Sequence, residues 1–350
     1  MKAAEIVSMA AMMGASDIHL ICGLTPRCRQ HGKIVEMGSE VLDDAACSAI
    51  AKELIGEEAF RQIAQIGEYD AGGTIAGERV RINLFRQQGH VSIVLRILAG
   101  RIPKLSSLGL PPVVSQFPNY QKGIVLVTGE TGSGKSTTLA AILNEINHTR
   151  QQHIITLEDP IEYIYKPDKC IINQREIGRD TRSYPDGLRA ILREDPDVIL
   201  IGEMRDLATI ETALTAAETG HLVFATLHTN SAVDAVDRIV GVFPEARQAQ
   251  IRLQLSTTLR AVLSQQLLLR ADGQGRVCAA EVMITTPAIA NLIREGKTPQ
   301  MQSFMLSSAK EGSLTMDNCL IGLAMDGRIK PQTAIDAAND RDYVRKKFML

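Results

Sequence analysis

The chain has 350 residues, 45% of them hydrophobic and 22% charged, an ordinary folded composition with room for two domains. Its 38 basic and 40 acidic residues leave a net charge of −2, without the basic excess that marks a nucleic-acid binder. The six scattered cysteines form no C-x-x-C pair, which counts against a disulfide framework or zinc site, and no apolar run approaches a membrane span of about 18 to 20 residues.

The opening MKAAEIVSMAAMMGAS carries Glu5 inside its apolar stretch and reads as an amphipathic helix ending near Gly14, not a signal peptide. A cytoplasmic protein is expected. A strand over 17–22 and helices over 43–55 and 57–65 follow. Residues 78–86, ERVRINLFR, alternate Val80, Ile82 and Leu84 against Arg79, Arg81 and Asn83, as a half-buried strand does. Residues 91–98 are its natural antiparallel partner across the Gln87-Gln88-Gly89 turn. Both strands carry arginines, Arg81 and Arg96, whose plain reading is solvent-facing charge on a sheet.

Pro103, Pro111, Pro112 and Pro118 interrupt the next stretch, which lacks periodicity and reads as a linker. This divides the chain into an α+β domain over 1–100, a linker over 101–119 and a second domain over 120–350.

The second domain opens on GIVLVTGETGSGKST. The apolar run from Ile124 to Val127 is a buried strand, and Gly129-x-x-x-x-Gly134-Lys135-Ser136 is the complete phosphate-loop pattern. Gly129, Gly132 and Gly134 permit backbone shapes closed to other residues, so that Thr131, Ser133 and the loop N–H groups can face phosphate oxygens. Lys135 reaches the β and γ phosphates, the Ser136 hydroxyl ligates magnesium, and Thr137 continues into a helix bearing Leu139, Ile142, Leu143 and Ile146 on one face. The chain is expected to bind a nucleoside triphosphate.

Short apolar runs then alternate with helices, as in an open, largely parallel sheet, whose ligands lie beyond the carboxyl ends of the strands. HIITL ends in Glu158-Asp159, Val198–Ile201 ends in Gly202-Glu203, and 222–226 ends near His228. Glu203 stands where a P-loop protein keeps its second acidic motif, to polarise water or hold magnesium, although Gly-Glu replaces the usual apolar residue and Asp. Glu158 and Asp159 are candidate second carboxylates for magnesium or water, with helix capping ahead of Pro160 as the plain alternative. His228 reads as a γ-phosphate sensor or as a packed histidine. Arg189 and Arg193, spaced i, i+4 on an expected helix, share a face that could reach phosphate or simply be solvated beside Glu194. Beyond these, Ser231-x-x-Asp234 suggests a capping box, 247–259 a long helix and 265–283 a hairpin. Helices are expected over 287–294, 300–308, 315–325 and 331–338, so the part from about 285 to 350 is mainly helical.

GETGSGKSTT, ITLEDPIEY, LRAILREDPDVILIGEMRD and TGHLVFATLHTNSA resemble, in order, the Walker A, Asp box, Walker B and His box of the secretion ATPase family of type II secretion and type IV pili. ASDIHL, RVRINLFRQ, VLSQQLL and AIANLIREGKTPQ extend the resemblance over almost the whole chain, with Ala290 departing from the arginine common in the family. The likeness is greatest to pilus-retraction members, because the longer N-terminal extension and tetracysteine zinc site of assembly members are missing. It implies an α/β fold: a PAS-like α+β N-terminal domain plus a RecA-like P-loop core with a helical C-terminal extension. It further implies a homohexamer that binds ATP and magnesium between the two domains of each subunit. By the same resemblance Arg81, Arg96, Arg189 and Arg193 contact phosphate, Glu203 is the catalytic glutamate, and Glu158 and His228 line the site. The implied function is ATP-driven pilus retraction in twitching motility, at the inner face of the cytoplasmic membrane. Partners, including a PilC-like platform protein, would hold the motor there, and no nucleic acid takes part. The alternatives are an assembly, type II secretion or accessory motor, or, outside the class, a RecA-like nucleic-acid translocase or a non-hydrolysing nucleotide-binding regulator.

Overall fold

The computed structural model describes residues 2–98 and 100–348. Two compact units emerge: Met1–Ile102 with Asp159–Ile164, and Pro103–Glu158 with Tyr165–Leu350. Asp159–Ile164, read from sequence as part of the second domain, thus groups with the first unit.

The first unit runs α1 (Ala3–Met12), β1 (Asp17–Leu20), β2 (Arg27–Gln30), β3 (Lys33–Glu36), α2 (Asp44–Ile55), α3 (Glu57–Ile66), β4 (Glu68–Ile75), β5 (Glu78–Gln87) and β6 (His90–Ile97). The first helix buries Ala3, Ile6, Val7 and Ala10, the stripe its spacing dictates. Asp43 caps α2, accepting the Ala46 N–H at 2.7 Å. The β5–β6 hairpin turns through Gln88 and Gly89, both at positive φ, the backbone a tight two-residue turn requires. Six antiparallel strands lie in the order β3-β2-β1-β6-β5-β4. Val80, Ile82, Leu84, Ile93 and Leu95 join the helices in one core, which leaves Arg81 and Arg96 on the other face.

The second unit begins with 3₁₀ turns at Leu105–Ser107 and Pro112–Asn119, so the linker is ordered. It continues β7 (Gly123–Thr128), α4 (Lys135–Thr149), β8 (His153–Glu158), β9 (Ile171–Glu176), α5 (Tyr184–Ile191), β10 (Val198–Ile201), α6 (Leu207–Glu218), β11 (Leu222–Leu227), α7 (Ala232–Gly241) and α8 (Glu245–Thr258). Then come β12 (Leu259–Leu269), β13 (Arg276–Ile284), α9 (Pro287–Glu295), α10 (Met301–Ser307), α11 (Met316–Met325), α12 (Pro331–Ala337) and α13 (Arg341–Lys347). The seven-stranded sheet has the order β13-β12-β7-β11-β10-β8-β9 and is parallel except for β12 against β13. Every residue of β7, β10 and β11 is buried, as central parallel strands covered on both faces must be. The expected hairpin is β12 and β13, and its first strand lies parallel to β7 and extends the sheet. Among the described residues no helix is long and apolar enough to cross a membrane.

Candidate functional site

Strand β7 feeds the phosphate loop, and the loop feeds α4. Gly129 sits at φ 137°, where an added Cβ would lie 2.4 Å from the Gln265 carbonyl oxygen and 2.6 Å from Ser133 Oγ. No larger residue fits that turn. Gly134, at φ 94°, ends the loop in a left-handed shape, and Lys135, Ser136 and Thr137 form the first turn of α4. Their N–H groups are among those an α-helix leaves unbonded at its positive end, a natural seat for an anion. Lys135 is only 9% exposed, and its Nζ donates to the carbonyls of Gly129 at 2.7 Å and Glu130 at 2.9 Å. Ser133 Oγ is buried without a hydrogen-bond partner among the described residues. Thr131 and Gly132 in the loop and Ser136 in the first turn of α4 are exposed.

A cavity of about 350 Å³ adjoins Gly134 and Thr137. Leu108, Leu110, Leu267 and Val277 give it an apolar lining, and Arg276 and Arg328 give it charge. Its size and mixed chemistry suit a small organic ligand. Sequence reasoning missed these residues because Leu108-Gly109-Leu110 lay in a proline-rich stretch taken only as a linker. Leu267 does lie in the VLSQQLL motif, but nothing in that motif pointed to a ligand.

The carboxyl ends of three neighbouring strands present the acidic and imidazole groups. Glu158 ends β8, and its Oε1 accepts from Thr156 Oγ1 at 2.7 Å and Gln174 Nε2 at 3.2 Å. Gly202-Glu203 leaves β10, and His228 leaves β11, the strand next to β7. The Gly in place of an apolar residue has a cause: a Cβ on Gly202 would come within 2.8 Å of Tyr184 Oη and 3.1 Å of the Leu157 carbonyl oxygen. Glu203 Oε1 accepts from Arg205 Nε and lies 3.3 Å from His228 Nε2. Burial raises the Glu203 pKa, but the Arg205 hydrogen bond and the His228 charge outweigh burial and hold it below the usual carboxylate value.

The remaining candidates fall elsewhere. Asp159 groups with the first unit, and no helix follows Pro160 for it to cap. Arg189 is on α5 and pairs with Asp186 at 3.8 Å. Arg193 is a correction: α5 stops at Ile191, so the two arginines do not share a helical face. The chain turns there, with the Arg193 N–H donating to Ala190 at 2.9 Å, and Glu194 pairs with Arg175 instead. Arg81 and Arg96 stand opposite each other on β5 and β6 of the first unit.

Among the described residues no three His, Cys, Asp or Glu side chains gather into a metal nest. The donors at the strand ends and the Ser136 hydroxyl fit a different arrangement, in which magnesium takes most of its oxygens from phosphate and water. The buried unpartnered Ser133 Oγ and the glycine cradle fit the phosphates themselves.

Residues 74–303 match the family model described as Type II/IV secretion system protein. The chain is 44% identical over 339 residues to the type IV pilus retraction ATPase PilT of Pseudomonas aeruginosa, covering 97% of this chain and 98% of that one. It is 43% identical over 331 residues to the uncharacterized protein YggR of Escherichia coli, covering 94% of this chain and all of that one. A crystal structure of the pilus retraction motor PilT with bound ADP superposes with a TM-score of 0.93 at 45% identity, covering 99% of both chains.

Proposed function

This chain belongs to the Type II/IV secretion system protein family, and from that premise we propose that it is an ATP-hydrolysing motor that retracts a type IV pilus. The observation that carries the reading is that the phosphate loop, Glu158, Glu203 and His228 all follow the carboxyl ends of neighbouring strands of one sheet. Gly129, Thr131, Gly132, Ser133 and Gly134 wrap the β and γ phosphates, and the first-turn N–H groups of α4 bind their oxygens. Lys135 exchanges two loop carbonyls for phosphate oxygens and so neutralises charge at the bond that breaks. The adjoining cavity takes the nucleotide base. Ser136, helped by Glu158 and Glu203, would hold magnesium, whose chemistry when bound is to draw negative charge from the phosphates.

Glu203 stays ionised at neutral pH and orients the attacking water. His228, 3.3 Å from it, senses the γ-phosphate and fixes the carboxylate's direction. Arg189 and Arg193 supply positive charge to the transferred phosphoryl group. Retraction would come from a homohexamer at the inner face of the cytoplasmic membrane, held there through a PilC-like platform protein. The retraction direction rests on the near full-length likeness to a protein of that name.

The test is ATP turnover and mass in solution, for the wild type and Glu203→Gln, with magnesium present. Six-chain particles with hydrolysis lost and ATP binding kept in the variant are expected. A variant as active as the wild type would sink the role of Glu203, and a wild type without turnover would favour a nucleotide-binding regulator.

A further inference from the structure

Gln265 lies on β12, two residues before Leu267, whose cross-strand partner on β13 is Cys278. Alternate residues of a strand share a face, and so do directly paired residues of neighbouring strands. These three side chains therefore stand together on one side of the sheet. All three line the cavity beside the phosphate loop, together with Thr138 of α4. Every one of them belongs to the second unit.

Gln265 is 2% exposed, and only the nitrogen of its amide is satisfied. Nε2 donates to Thr138 Oγ1 at 3.0 Å and to Cys278 Sγ at 3.2 Å. Burial pushes the Cys278 thiol up to about 11, so it keeps its proton and brings no charge to the amide. Oε1 is buried without a hydrogen-bond partner among the described residues. An unpaired buried acceptor is costly, and one on a side chain that lines a ligand cavity calls for a donor on the ligand. Ionised phosphate oxygens cannot serve, because they only accept. Adenine has one N–H donor group, its exocyclic amine. The apolar Leu108, Leu110 and Leu267 around the cavity suit a flat base better than a ribose.

We propose that Gln265 is a specificity-determining residue for the base: its Oε1 accepts from the 6-amino group of adenine, so that the cavity selects nucleotides bearing that amine. The same amide grips Thr138 near the start of α4, the helix that also presents Lys135 and Ser136. Base reading and phosphate binding thus share one rigid element. Gln265 belongs to VLSQQLL, a motif that the phosphate chemistry leaves unexplained. The inference rests on the motor reading above, in which this cavity takes the nucleotide base.

Steady-state turnover of the full-length protein tests it, with ATP, purine riboside triphosphate (adenine without its amine), 2′-deoxy-ATP and 3′-deoxy-ATP as substrates. The proteins are the wild type, Gln265→Met and Gln265→Asn. Methionine keeps the length of the side chain without an acceptor. Asparagine keeps the amide but withdraws its oxygen by one methylene, and serves if methionine does not fold. The readout is the ratio of kcat/KM for two substrates on one protein, which general damage to the fold does not move. The wild type should prefer ATP to purine riboside triphosphate by about ten- to a hundredfold, the scale of leaving one buried polar group unpaired. In both variants that preference should fall toward one, while the deoxy substrates follow ATP throughout. A wild type without the preference, or variants that keep it, would overturn the role of Gln265 and leave the motor reading standing. A preference against one deoxy substrate that disappears in the variants would assign Oε1 to a ribose hydroxyl and overturn base reading. A wild type that turns over no ATP would instead sink the motor reading, and the inference with it.

Discussion

The Glu203 carboxylate and the His228 imidazole lie 3.3 Å apart, each just past the end of one of two adjacent parallel strands. Burial works to raise the Glu203 pKa, and Arg205 and His228 more than reverse it. With its pKa below the ordinary 4.5, the carboxylate remains ionised as pH falls through the ordinary range and takes up a proton only below it. The acidic limb of kcat should therefore lie below the ordinary carboxylate value. Arg205→Ala removes the strongest lowering contact, so its limb should move to higher pH. A pH–rate profile of both proteins checks this, and superimposable limbs would show that Glu203 does not set the profile.

Lys135 should be indispensable for a different reason. Its ammonium is buried and already satisfied by two loop carbonyls, so its function is charge at a fixed point, not fold. Lys135→Ala should lower turnover by a factor of about a hundred or more, the scale of losing one preorganised donor to developing charge. Lys135→Arg should fail too, since a planar fork cannot replace a compact ammonium in a 9% exposed slot. ATP turnover, beside circular dichroism to confirm folding, measures it. Arginine at wild-type rates would contradict the tight fit.

How far the sequence carries such arguments depends on where the signal is local. The phosphate loop was legible because its glycines answer to backbone shape: Gly129 at φ 137° leaves no room for a Cβ. Strands β5, β6, β7, β10 and β11 were legible from alternation or unbroken apolar runs. Strand β4, EYDAGGTI, was not, because its two glycines and scattered polar residues carry no period, and it is held in place by pairing with β5. Strand β9 was hidden in the same way at the sheet edge, where IINQRE is mostly polar. Arg193 was placed on a helix because helical spacing persists in the sequence after the helix has stopped. The pairing of Asp17 with Arg96, 79 residues apart, is set by sheet topology, to which local pattern is blind.

Gly202 gives a steric prediction. An alanine there would put its Cβ 2.8 Å from Tyr184 Oη, 3.1 Å from the Leu157 carbonyl oxygen and 3.3 Å from the Glu158 Cα. Two of those neighbours are backbone and cannot yield without moving the end of β8. Gly202→Ala should destabilise by about 1–3 kcal/mol, the range for overpacking, and slow turnover by shifting both Glu203 and Glu158. Tyr184→Phe in the same chain removes the closest contact and should recover part of the stability. Urea unfolding of the single and double variants decides it, and an alanine variant of wild-type stability would show that the strand ends yield freely.

Glu281, 3% exposed on β13, binds two helices at once. Its Oε1 accepts the Ala232 N–H at the start of α7 at 2.7 Å, and its Oε2 accepts the Met316 N–H at the start of α11 at 3.2 Å. Burial raises its pKa above the ordinary 4.5, although both N–H groups pull the other way. A carboxyl with a raised folded-state pKa adds stability that is complete below the ordinary value and lost as pH rises through the folded one. Glu281→Gln cannot accept from both N–H groups, since its amide nitrogen must face one of them, so it should cost about 1–3 kcal/mol at neutral pH. Because glutamine does not titrate, the advantage of the wild type over the variant should grow as pH falls from 7 toward the ordinary carboxylate range. Urea unfolding of both proteins at several pH values measures that difference directly. A gap that narrows on acidification would mean that the two helix ends stabilise the ionised form more than burial opposes it.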